Sequence, residues 1–401
     1  MQIDKPTHQW QLPFEGSWPT SVVFLDDRRI AAGNRAGQIY LWELPDEIPE
    51  REEGKPAPLA PSLRFDGHQN SISRLLSVGD GRWLVSGGLD RTIRFWDTRA
   101  ESQSSDEVVL DGKVREQRAR RKSKEEKAAI LDAPGVKVGV MADRLTLTSH
   151  TEWIKALAVN ATGNRLISGD DSCLSVVWDL APLVEADRPA DVKAICQWRG
   201  YPRVWVSSAA LSPDGATAFT AEFAGRRSSF DVPAAQARLW DSTNGEMKSD
   251  LLKVWTPKVK DEDRVDSYGY GREWGKYIKR GLIAAAFSPD GSTLALGQGG
   301  ETDTAKVLLV DVKTGAISRE VSGHKQGVCD VAFSADGKFV LSSGRDTVVR
   351  ICQVSDGKQV AELGKGRGGQ FKDWIHSLSV SPDQKRVAGA DIAGMVHVWS
   401  L

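Results

Sequence analysis

Short apolar runs of four to seven residues, separated by turn chemistry, recur along the chain. The clearest instance is residues 67–98, GHQNSISRLLSVGDGRWLVSGGLDRTIRFWDT. Its runs are Ile72 to Ser77, Trp83 to Ser86 and Ile93 to Trp96. Each is rich in β-branched, aromatic or aliphatic residues, as half-buried strands are. Gly79-Asp80-Gly81 stands where a tight hairpin is needed, and Gly87 to Arg91 makes the next turn. The pattern returns six more times.

The repeats align on the turn after their first strand. It reads LDDRR (25–29), GDGR (79–82), NATGN (160–164), SPDGA (212–216), SPDGS (288–292), SADGK (334–338) and SPDQK (381–385). Proline presets φ early in such a turn, and glycine supplies a positive φ later. Third strands are expected to end at Trp42, Trp96, Trp178, Trp240, Val310, Cys352 and Trp399. Several of these spacings exceed the roughly 40–45 residues of a bare repeat, so the surplus must lie in insertions.

The Gly67-His68 opening, the Trp96-Asp97 close and the repeat length resemble the WD-repeat β-propeller family. The resemblance implies an all-β fold, a seven-bladed β-propeller of four-stranded antiparallel blades. It also implies a bracing tetrad in a blade, here His68, Ser86, Asp90 and Trp96. Such a set is chemically sound, because buried indole, hydroxyl and imidazole groups each need partners and a carboxylate strengthens the last bond. The third repeat offers His150, Ser168 and Trp178 with Asp170 or Asp171. The sixth offers His324, Ser342 and Asp346, with Cys352 in place of tryptophan. Only the second repeat looks complete, and these histidines are read as structural.

The last repeat stops at Trp399-Ser400-Leu401, just after its third strand. The N-terminal stretch has the alternation Trp10, Leu12, Phe14. Residues near 8–14 are therefore expected to fill the missing slot of the last blade and close the ring.

In the family, loops between first and second strands and between third and fourth strands lie on the bottom face, and the others on the top. Residues 45–61 and 181–192 are then bottom loops, the former rich in proline and glutamate and expected to be irregular. Residues 99–142 form an inserted polar segment at the bottom. Its centre, 113–131, carries eight basic and three acidic residues and suits a polar helix. On the top lie 222–235, 253–280, 297–304 and 364–373. The 253–280 loop holds five aromatic residues, and eight basic against five acidic ones.

One alignment column is unusual. The residue that leads the first strand is Trp18, Ser71, Trp153, Trp205, Gly281, Gly327 or Trp374. It should rim the mouth of the central channel. Apolar residues follow it with a break in parity, which predicts a β-bulge. Tryptophan at such a rim suits partner binding, because it desolvates a large area and keeps a polar handle. With Trp18, Trp153, Trp205 and Trp374 go Arg203, Arg226, Arg227, Tyr268, Tyr270, Arg272, Trp274, Arg367 and His376 as candidate partner-binding residues. The competing reading is that the rings only pack beneath the top loops.

Composition narrows the function further. The formal net charge is −1, so no global field draws nucleic acid or a membrane. The four cysteines have no short metal-type spacing, and no apolar run has the length of a membrane span. No metal or cofactor is expected, and a reduced, cytoplasmic protein is. Gly364, Gly366 and Gly369 match a dinucleotide fingerprint in spacing alone, since they precede the strand-like DWIHSLSV instead of opening a helix within a βαβ unit. The reading is a non-enzymatic interaction scaffold that takes a protein or peptide on its top face. Two alternatives stand beside it. One is a small-ligand-binding or hydrolytic propeller using His376, Asp373 and Asp303 at the channel mouth. The other acts on nucleic acid through 113–131, a partner not expected on overall charge.

Overall fold

Each repeat becomes one sheet whose strands run outward from a central channel. The computed structural model describes residues 1–13, 17–49, 56–109, 119–120, 122–132, 135–200, 204–223, 235–258, 281–299, 305–321, 323–364 and 374–401. Among them the strands sort into seven sheets, each with a four-stranded antiparallel core. The inner strands are Pro19–Phe24, Ile72–Val78, Ile154–Val159, Trp205–Leu211, Leu282–Phe287, Val328–Phe333 and Ile375–Val380. Each touches its two neighbours around the ring, blade one lying against both blade two and blade seven. The core is divided into apolar layers between successive blades.

The turn chemistry has a direct geometric outcome. In blade five Ser288 Oγ donates to Asp290 at 2.6 Å and accepts from Thr293 N at 2.9 Å. Gly291 completes that turn with a φ of +71°, a conformation that costs glycine little. Blades pack closely where a second-strand glycine meets the next blade. A Cβ at Gly169 would lie 2.5 Å from Val206 Cγ1.

Ring closure follows the counting argument. Thr7–Pro13 pairs antiparallel with Met395–Ser400 and is the fourth strand of blade seven. Trp10 and Leu12 are buried in one cluster with Tyr40, Trp42, Val396 and Val398.

The two early insertions differ from expectation. Residues 45–61 are not wholly irregular: Ala57–Pro58 pairs parallel with the closing strand, on its outer side. In the second insertion, Ser104–Val108 and Val136–Met141 form a hairpin that joins blade one, not blade two. Val136–Met141 runs parallel to Leu63–Phe65, which makes that sheet six-stranded. The cause is an open outer edge with unpaired backbone groups, next to an apolar surface that Val108 and Val138 cover. The helix in this insertion spans Lys124–Leu131. Ser123 caps it, accepting from Glu126 N at 3.2 Å, while its own N–H donates to the Glu126 carboxylate at 3.0 Å. Residues 110–118 and 121, with four of the eight basic residues of 113–131, lie outside the described residues.

Candidate functional site

The inner strands place the tryptophan column. All seven carry a register shift at one position, as between Ile154 and Ala156 or between Ile375 and Ser377. The bulge buries the residue before it, such as Ile72, Ile154, Val206 or Ile375. The leading residue stands just before that one, at or next to the start of the inner strand. Trp18 is 43% and Trp153 45% exposed. Trp205 is half-buried, edge-on to Phe223 with ring centroids 5.4 Å apart. Trp374 is also half-buried, and its ring lies 6.0 Å from that of His376.

Three of the four rings carry a cation. Arg35 lies 5.4 Å from the Trp18 centroid, Lys155 5.1 Å from Trp153 and Arg345 4.3 Å from Trp374. These cations were not singled out by sequence reasoning, although a signal existed. Arg35 and Arg345 both occupy the first residue beyond a second strand. The backbone N–H there donates to the leading residue of the first strand: Arg35 N to Trp18 O at 3.0 Å, Arg345 N to Gly327 O at 3.1 Å. Counting that phase would have placed both cations at the rim.

His376 lines the channel and is half-buried. Burial, and then the Arg345 charge, hold its imidazole below the ordinary histidine value. Below the rim the channel encloses about 650 Å³. It is crossed by an ion pair that sequence reasoning also missed. Arg74 of blade two reaches Asp330 of blade six at 2.7 Å. Asp330 also accepts from Leu378 N at 3.0 Å and from Ser377 Oγ at 3.2 Å.

The tetrad residues lie further out. In blade three the bond chain is complete. His150 Nδ1 lies 2.9 Å from Asp170, Nε2 lies 2.7 Å from Ser168 Oγ, and the Trp178 indole N–H donates to Ser168 Oγ at 2.9 Å. Asp170, not Asp171, is the carboxylate. In blade two His68 reaches Asp90 at 2.9 Å and Ser86 at 2.6 Å. Trp96 Nε1, however, has no hydrogen-bond partner among the described residues. The complete set is therefore in the third repeat rather than the second. The Trp96 ring packs against Phe65 and His68 instead. In blade six His324 reaches Asp346 at 2.6 Å and Ser342 at 2.9 Å, and Arg350 adds a bond to Asp346 at 2.7 Å.

Burial pushes the carboxyls of Asp90, Asp170 and Asp346 up, but the bonds from His68, His150 and His324, with others, outweigh it. All three lie below the ordinary carboxylate value of 3.8. The stability they contribute is therefore present above that value and is lost as pH falls through the lower folded values. His68→Ala should cost about 1–3 kcal/mol, with His150→Ala at the upper end of that range because Asp170 is fully buried. Denaturant midpoints at neutral pH measure this, and an unchanged midpoint would refute a bracing role. The difference from wild type should shrink on acidification.

Arg203, Arg226, Arg227, Tyr268, Tyr270, Arg272, Trp274 and Arg367 lie outside the described residues, as do Asp303 and Asp373. The 253–280 loop is described only as far as 258. Its start belongs to the helix Leu251–Trp255, which buries Trp255 and directs its indole N–H to Gly315 O at 2.8 Å. That ring is packing. Among the described residues no helix is long and apolar enough to cross a membrane.

Known proteins offer an independent comparison. The model described as WD domain, G-beta repeat matches residues 60–97, 143–179 and 315–352. Autophagy-related protein 16 of Arabidopsis thaliana is 34% identical over 118 residues, which are 29% of this chain and 22% of that protein. Ribosome biogenesis protein ytm1 of Aspergillus terreus is 24% identical over 84% of this chain and 59% of its own length. Small ribosomal subunit protein RACK1 of Caenorhabditis elegans is 22% identical over 84% of this chain and 93% of its own length. The chain thus spans 22% and 59% of the length of the first two relatives. With three matched repeats inside a ring of seven blades, this chain is a β-propeller carrying WD repeats, as members of the WD-repeat family do.

Proposed function

We propose that the protein is a non-enzymatic scaffold that holds a partner protein or peptide on the tryptophan-bearing top face of its ring. The observation that carries this reading is the exposure of Trp18 and Trp153. Two large rings at one structural position stand nearly half out of the surface, on rigid inner strands. A ring that served only packing would be covered, as Trp10 and Trp42 are. Trp205 and Trp374 continue the same rim with one side already packed. Rigid strands that present aromatic anchors are what a binding hot spot needs.

The relatives are compatible with this. Two that span most of this chain are named for the ribosome or its biogenesis, and an interaction role for this chain fits beside such proteins. The loops of 222–235, 253–280 and 364–373, which are net basic taken together, are assigned to the same partner, and the 99–142 insertion to the bottom face. Nucleic acid is not the assigned partner, since the net charge is −1. The described part of 113–131 also mixes signs, with Lys122 paired to Glu126 at 3.6 Å. A cytoplasmic setting remains part of the proposal, supported by four free cysteines.

The test is titration of a recovered partner against Trp18→Ala and Trp153→Ala. Each should weaken binding by about 2 kcal/mol or more if the ring is a hot spot. Melting should change little, since exposed positions usually contribute within about 0.5 kcal/mol. Unchanged affinity in both variants would refute the top-face site.

A further inference from the structure

The rim tryptophans do not present bare aromatic faces. Arg35 and Lys155 lie over the two exposed rings, and Arg345 over a third. They come from blades one, three and six, so positive charge is spread around the mouth. Arg91 and Lys325 add exposed cations in the turns of blades two and six. Many carboxylates on this face are already engaged. Asp90, Asp170 and Asp346 hold the bracing histidines. Asp171 stands 3.7 Å from Lys155, a half-exposed pair in which a stronger carboxylate contact can replace Asp171, whereas Glu152 is exposed and adds one negative charge beside it.

We infer that the segment recognised at this mouth is acidic: an extended, Asp/Glu-rich stretch of a partner protein whose carboxylates meet Arg35, Lys155 and Arg345 while its backbone and aliphatic groups lie along the tryptophan rings. The inference rests on the top-face reading above and adds the chemistry of the partner. A cation held against an indole is shielded from water on one side and keeps its place before the partner arrives. Both effects make a carboxylate contact stronger than at an ordinary exposed cation. Arginine adds a planar fork that meets a carboxylate in two places.

The same residue types could suggest single-stranded nucleic acid, where bases stack on aromatic rings along a basic groove. The geometry favours protein. Each of the three rings has one face taken by its own cation, which leaves only the other face for a base to stack on. The Arg74–Asp330 pair crosses the channel below, so the bound segment lies across the mouth and does not thread the ring.

The probe is a labelled oligoglutamate peptide, compared with oligoglutamine of the same length and with oligouridylate. Wild type is tested beside the triple variant Arg35→Gln/Lys155→Gln/Arg345→Gln, the charge-keeping Arg35→Lys/Arg345→Lys pair, and Trp18→Ala/Trp153→Ala. Melting curves confirm folding in each. Oligoglutamate should bind wild type, and more weakly as salt rises. The triple variant should lose about tenfold or more in affinity, and the lysine pair should keep most of it. Oligoglutamine and oligouridylate should bind more weakly than oligoglutamate. No binding of oligoglutamate, equal binding of oligoglutamine, tighter binding of oligouridylate, or full affinity in the folded triple variant would each overturn the proposal. If a recovered partner is weakened by the tryptophan variants but not by the triple variant, the mouth is still the site and only its acidic preference falls. If neither set weakens that partner, the top-face reading falls as well.

Discussion

Trp10→Ala should destabilise the protein by about 3–5 kcal/mol, the range for emptying a buried aromatic site. Removing residues 1–16 should do more, and yield a chain that aggregates or melts early. The reason lies in the seam. Thr7–Pro13 supplies the outer strand of blade seven, paired with Met395–Ser400 on one side and with Ala57–Pro58 on the other. Trp10 and Leu12 are 1% and 0% exposed. They share a cluster with Tyr40 and Trp42 of blade one, Val396 and Val398 of blade seven, and Val108 and Val138 of the second insertion. Without the strand, Met395–Ser400 becomes an open edge with unpaired backbone groups, which invites pairing with another chain. Thermal melting with light scattering reads both effects. A truncated chain as soluble and heat-stable as the parent would refute closure as the source of ring stability.

The second large effect is expected at the cross-channel ion pair. Asp330→Ala should cost about 3 kcal/mol, the lower end of the range for breaking a buried pair. The lower end applies because the Arg74 side chain is 32% exposed and so keeps some solvation. Asp330 itself is buried and accepts from Leu378 N and Ser377 Oγ, so its loss also leaves blade-seven donors unsatisfied. Arg74→Met should be destabilising too, since it leaves the carboxylate without its cation. The double variant should be less damaging than the sum, which a double-mutant cycle in chemical denaturation measures. Strict additivity would show that the two side chains do not stabilise the ring through each other.

The blades themselves were legible in the chain. Turn residues such as Ser288-Pro289-Asp290-Gly291 dictate local backbone geometry through their own side chains, so counting them counts the hairpins. The bulge was legible because strand side chains alternate with period two, and a break in that alternation can only be an inserted residue. Closure was legible by arithmetic, as a repeat lacking one strand at one end and an alternating strand left over at the other.

What the chain alone left open were questions of distance between elements far apart in sequence. Ser104–Val108 reads SSDEV, with no strand periodicity, and became a strand because its partner hairpin meets the uncovered edge of Leu63–Phe65. Residues 170 and 171 are both aspartates, and only packing could bring the former to His150. Trp96 and Trp178 occupy one alignment position, yet only the second bonds its serine, because ring orientation depends on neighbours such as Phe65. The four rim tryptophans are likewise equal in sequence phase. Exposure separates them: Phe223 covers part of Trp205, His376 and Arg345 flank Trp374, while Trp18 and Trp153 stay open beneath a single cation each. Local turns and alternation depend on covalent neighbours and so can be read along the chain. Burial, ion pairing across the channel and the choice of edge depend on which surfaces the closed ring brings together, and only the tertiary structure decides that.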